Sequence, residues 1–164
     1  MEAGEEPNGG RKPLRLLFIS SDKFPPFRVD VSVLLGEEFR ARGHCIEWIL
    51  QSAGPCEKRH EEKWKGGTVT VGATDMGVSR RARIRKHLLD VRNDLAMFRR
   101  LRGGEHDAVL VKDKFLSALL AYVAARRAGR PFLYWISFPF PEESTYRART
   151  GTARYPVIYR VRGW

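Results

Sequence analysis

Cysteine is scarce: only Cys45 and Cys56 occur in 164 residues. Two cysteines cannot make a disulfide framework, and they read as a buried thiol and a loop thiol of a reducing cytosol. No apolar run approaches the roughly 18 residues that a membrane span needs. The first apolar run is not followed by GxGxxG, which argues against tight dinucleotide binding, and neither GxxxxGK[ST] nor GxSxG occurs. The four His and two Cys are scattered without metal-ligand spacing. The opening MEAGEEPNGGRKP is acidic and turn-rich with no apolar core, unlike a signal peptide. Residues 1–12 are expected to be a disordered lead-in to one domain over 13–164.

Charge is abundant and unevenly placed. The formal net charge is +11. Residues 79–102 carry eight Arg and one Lys against two Asp, and residues 147–164 carry five Arg and no acid. The rest of the chain is therefore close to neutral. A basic stripe on a neutral body attracts anions: a membrane surface, a nucleic acid or a phosphorylated substrate.

Hydrophobic patterning predicts an alternation of strands and helices. LRLLFIS, residues 14–20, is a near-continuous apolar run, the mark of a strand buried on both faces. Pro25 and Pro26 stiffen the next loop. Asp30 is placed to cap a helix from Val31 to about Arg42, with Val31, Leu34, Leu35 and Phe39 on one face and Gly43 as its stop. CIEWIL, residues 45–50, is the second strand. Residues 52–66 read as a loop with at most one helical turn, and GTVTVG, 67–72, as a short strand. The basic segment predicts a helix at 80–102 with Ile84, Leu88, Val91, Leu95 and Phe98 packed on the sheet. Strands at 108–111 and 131–137 flank a helix at 114–128. This order predicts an α/β fold: a Rossmann-like, doubly wound, mostly parallel sheet. Ligands of such sheets sit outside the carboxyl ends of the strands, at the switch point. The loops at 20–30, 72–79, 112–114 and 137–145 are thus the ones that matter for function.

Three features resemble the N-terminal, acceptor-side domain of a family 4-type glycosyltransferase of the two-domain GT-B architecture. A Pro-Pro loop follows the first strand, a helix ends in RARGH before the second, and KDKF…AARRAGRPFLYWISFPFPE closes the sheet. The resemblance covers about residues 14–150. It implies a retaining hexosyltransferase that uses a nucleotide-sugar donor, with no permanently bound cofactor and no required metal. It also implies a partner: a C-terminal donor-binding domain carrying an E-x7-E motif that this chain does not contain. Taken alone, the chain is expected to be inactive. Where the family often has a Gly-Gly pair, this chain has Phe27, Arg28, Val29 and Asp30, so Arg28 becomes the cationic substitute toward donor phosphate. Where many relatives place a His, this chain has Val111, Lys112, Asp113 and Lys114.

Candidate site residues follow from these loops. Asp113 is the candidate catalytic group, orienting an acceptor hydroxyl or taking its proton; it is also placed to cap the next helix. Asp22, Lys23, Arg28, Lys112, Ser137 and Phe138 are candidates for substrate binding. Glu142 and Glu143 suit the first turn of a helix. Arg80, Arg81, Arg83 and Arg85 are candidates for contact with an anionic membrane, which would make the protein cytoplasmic and peripheral at the inner membrane face. A sugar or lipid-linked acceptor is the expected substrate, in polysaccharide or glycolipid assembly. The alternatives are a non-catalytic flavodoxin-like binding or signalling domain, or a basic adaptor for membrane or nucleic acid; no nucleic-acid module accompanies the arginines.

Overall fold

The computed structural model describes residues 12–137 and 140–152. Six strands form one sheet: β1 (Arg15–Phe24), β2 (Cys45–Ser52), β3 (His60–Trp64), β4 (Gly67–Gly72), β5 (Ala108–Lys112) and β6 (Phe132–Trp135). Their order is β3-β4-β2-β1-β5-β6. All neighbours are parallel except β3, which runs antiparallel along β4. The fold is Rossmann-like, and the strand order reverses between β1 and β5. That is the switch point, where loops from the two strands diverge to opposite faces and leave a crevice.

The sheet is covered on both sides, which explains the unbroken apolar run of β1. On one face Leu16, Phe18, Trp48, Leu50, Val69 and Val71 pack against Val31 and Leu35. On the other, Leu17, Ile19, Ile49, Val109 and Val111 meet Met97, Leu101 and the alanines of α4 (Phe115–Arg127). Phe18 stands opposite Trp48 in the β1–β2 register and meets its ring edge-on at 5.2 Å between centroids. Gly67 is constrained by this packing. A Cβ there would overlap the Ile46 carbonyl oxygen and press on the Trp48 indole. Gly67→Ala is expected to destabilise the fold by about 1–3 kcal/mol through overpacking. Urea unfolding measures this; an unchanged midpoint would show that the β2–β4 edge yields freely.

Several sequence expectations need correction. Residues 60–64, read as loop, form β3, because their alternation is between polar residues and shows no apolar face. The helix after the proline loop starts as a π-helix, Asp30–Glu38, and ends in one α-turn, α1 (Phe39–Ala41). In the wider i→i+5 winding, i+3 no longer shares a face with i. Val31 and Leu35 are therefore buried while Leu34 is exposed. Asp30 does not cap this helix; Val29 holds the cap position, with no side-chain bond.

The basic helix is broken at Leu95 into α2 (Arg80–Asp94) and α3 (Ala96–Arg102). Its predicted core stripe faces the wrong way: Ile84, Leu88 and Leu95 are exposed, and Asn93 and Asp94 are buried. Polar partners at the sheet's rim, described below, decide this orientation. Gly43 and Gly129 stop their helices at positive φ, as expected. A last helix, α5 (Phe140–Arg149), carries Glu142 and Glu143 in its first turn. Among the described residues, no helix is long and apolar enough to cross a membrane. The lead-in residues 1–11 and the tail from 153 lie outside the described residues.

Candidate functional site

The carboxyl ends of β1 and β5 place two buried lysines at the switch point. Lys112 ends β5 and is fully buried. Its ammonium lies 2.7 Å from Asp30 Oδ2 and 3.3 Å from Asp22 Oδ2. The Trp135 ring stands 5.1 Å from it. Asp22 also accepts a hydrogen bond from the Ser20 hydroxyl at 2.5 Å. Arg28, from the proline loop, closes the group: its Nε is 3.5 Å from Asp30 and 3.9 Å from Asp22, and its Nη1 is 3.8 Å from Asp113. Burial opposes ionisation of Asp30, but the Lys112 hydrogen bond and the Lys112 and Arg28 charges outweigh it and hold the carboxyl below its ordinary range.

Asp113 is the pivot. Its backbone sits at φ +56°, a left-handed conformation unusual for a non-glycine residue and one that aspartate tolerates better than most. This breaks the strand's alternation, so Lys112 and Lys114, two residues apart, reach acids on different elements. Lys114 turns to α2, where it lies 2.6 Å from Asp90 Oδ1 and 2.5 Å from Asp94 Oδ2. Asp94 also accepts a hydrogen bond from Ser117. Asp113 itself does not cap α4; Lys114 holds that cap position. Instead the Asp113 carboxylate accepts the Ser137 backbone N–H at 2.8 Å and the Ser137 hydroxyl, tying β5 to the end of β6.

On the α2 side of this pivot lies an open cleft of about 530 Å³. Ser21 and Lys23 from β1, Gln51 from β2, Lys86 and Asp90 from α2, and Asp113 line it. Lys23 and Lys86 make no ion pair among the described residues. Desolvation, then the Lys86 charge, lowers the Lys23 pKa, and Lys114 adds to this against the pull of Asp90.

The structure thus brings Asp22, Arg28, Lys112, Asp113 and Ser137 into one connected group and puts Lys23 across the pivot in the cleft. Phe138 lies outside the described residues. Lys112 has no surface to offer a ligand; burial and its two carboxylates give it the task of organising the rim. Arg28 is half-exposed, but three carboxylates surround it. With two cations against three carboxylates, that side of the rim suits hydroxyl donors better than a phosphate. The free cations are in the cleft. Arg80, Arg81, Arg83 and Arg85 are exposed along α2, far in chain order from the rim group and on a separate element.

Sequence reasoning missed Asp90, Asp94 and Lys114. A signal was present: Asp90 and Asp94 are the only acids in residues 79–102 and stand four apart, hence on one helical face. Among the described residues, no group of three or more His, Cys, Asp or Glu side chains is arranged to hold a metal ion.

Fold and rim together define a class: a Rossmann-like α/β domain with a charged, open rim at its switch point. No protein-family model, no curated protein and no solved structure matches the chain.

Proposed function

We propose that the chain is the acceptor-binding N-terminal lobe of a retaining, nucleotide-sugar-dependent glycosyltransferase of GT-B architecture, acting in polysaccharide or glycolipid assembly. The observation that carries this proposal is the position of Asp113. It stands at the switch point between a carboxylate-rich group and a cleft with two free lysines. The carboxylates accept hydrogen bonds from sugar hydroxyls. Lys23 and Lys86 attract the anionic part of a donor. Asp113, oriented by Ser137, receives or orients the proton of the attacking hydroxyl, and a second lobe closes the cleft and excludes water. The sequence resemblance over residues 14–150 supports the same role. A lipid-linked acceptor would place the protein at the cytoplasmic face of the inner membrane.

The test is nucleotide release from a panel of nucleotide sugars, in the presence of glycan and lipid-linked acceptors. The parent reading frame, with its donor lobe, is expected to be active and the 164-residue chain inactive. Asp113→Asn in the active protein is expected to lower kcat by about 10²–10⁴-fold, the usual contribution of a general base, with a smaller change in KM. No release across the panel, or an unchanged kcat in the variant, would sink the proposal.

A further inference from the structure

We infer that the outer face of α2 and α4 docks on an anionic lipid bilayer. Nothing in this inference depends on sugar transfer, because it rests on a different surface. Ile84, Leu88 and Leu95 stand four and seven residues apart, so they share one stripe of the basic segment. That stripe points to solvent: Leu88 is 66% exposed and Ile84 54%. On the opposite side of α2, Asn93 and Asp94 are buried against the sheet. Arginines border the apolar stripe on both sides. Arg81, Arg85 and Arg92 follow one edge, and Arg80 and Arg83 the other, all exposed. Arg85 comes within 3.8 Å of Asp75 but keeps most of its side chain in solvent.

α4 repeats the arrangement. Phe115, Leu119 and Tyr122 form an outward stripe beside Leu116 and Val123, with Phe115 73% exposed. Arg126 and Arg127 follow at its end. The alanines of α4 are what it buries on the sheet. The two helices cover the same side of the sheet and are joined by the Lys114 bridges to Asp90 and Asp94. Their apolar stripes therefore lie on one surface.

An apolar stripe flanked by arginines is the pattern of a helix lying in the plane of a membrane interface. The apolar side chains enter the acyl boundary while the guanidinium groups meet lipid phosphates. Charge selects this occupant over the others. A second copy of the chain would bring two arginine-edged faces together. A nucleic acid would use the arginines but leave the leucine, isoleucine and phenylalanine side chains in water.

Vesicle co-sedimentation tests the inference. The 164-residue chain is expected to sediment with phosphatidylcholine vesicles containing phosphatidylglycerol, and not with phosphatidylcholine alone. Arg80→Glu, Arg81→Glu, Arg83→Glu and Arg85→Glu together should weaken binding by at least a hundredfold, at about fivefold for each arginine lost. Ile84→Asp with Leu88→Asp should weaken it about tenfold or more, while circular dichroism stays unchanged because both positions are exposed. A Leu88→Trp reporter should shift its emission to the blue on binding.

Failure to sediment at low salt overturns the inference. So does binding that ignores the aspartate pair, which would assign the arginines to polyanions in general. A dimer in sedimentation velocity that Ile84→Asp and Leu88→Asp dissolve would assign the face to a second copy. A parent protein that fails to sediment while the 164-residue chain succeeds would assign it to another lobe.

Discussion

Lys112→Met is expected to destabilise the fold by about 3–5 kcal/mol, the usual cost of removing one partner from a buried ion pair. The ammonium is fully buried and balances Asp22 and Asp30. Methionine has a similar volume, so little of the loss is packing. What remains is a buried Asp22 carboxylate with its strongest nearby positive charge removed. Out of a total of roughly 5–15 kcal/mol for a domain, this is a large fraction. The double variant Lys112→Met with Asp22→Asn should recover part of the loss, since both ends of the pair are then neutral. The urea midpoints of the two variants measure it. A single variant as stable as the parent chain would show that the rim group does not hold the switch point together.

The second large effect is on pH dependence, on the other side of the pivot. Burial, with a further contribution from the Asp90 charge, raises the Asp94 pKa from 3.8 to about 6; the Lys114 charge and hydrogen bond and the Ser117 hydrogen bond offset only part of this. Between about pH 4 and pH 6, the folded protein keeps a proton that the unfolded chain has released. Stability therefore falls as pH rises through that window and levels off above it. A shift of about two units corresponds to roughly 3 kcal/mol. Asp94→Asn removes this titration. Its stability should be flatter from pH 4 to 6 and higher than that of the parent chain at pH 7, with Lys114 still paired to Asp90. Thermal unfolding across this range decides it. The same downward slope in both proteins would place the titration elsewhere.

Both effects arise where the sequence is only partly legible. The strands could be read because each carries a short apolar run between turn residues, and that pattern survives any detail of packing. Their order then fixed which loops share a rim, so the proline loop and the 112–114 segment could be paired before any coordinate was known. Arg28 and Asp113, 85 residues apart, do meet at that rim. The partner of each charge could not be read. Asp30 looks like a helix cap in sequence, and only the placement of β5 beside β1 offers it a lysine.

The basic helix shows the limit most clearly. By spacing alone, the apolar stripe of residues 84–98 should face the core. In the folded chain, Lys114 draws Asp90 and Asp94 inward, and Asn93 donates to the Leu50 carbonyl oxygen at 3.0 Å. These polar contacts turn the first part of the stripe outward. Phe98 regains the core only after the break at Leu95.

Strand positions, the two-sided wrapping of the sheet and the rim on which function gathers follow from local composition and periodicity, because burial and chain connectivity leave few other solutions. Which carboxylate meets which cation, and which side of α2 turns inward, depends on groups far apart in the chain. Those pairings exist only once the sheet has brought the ends of β1 and β5 together.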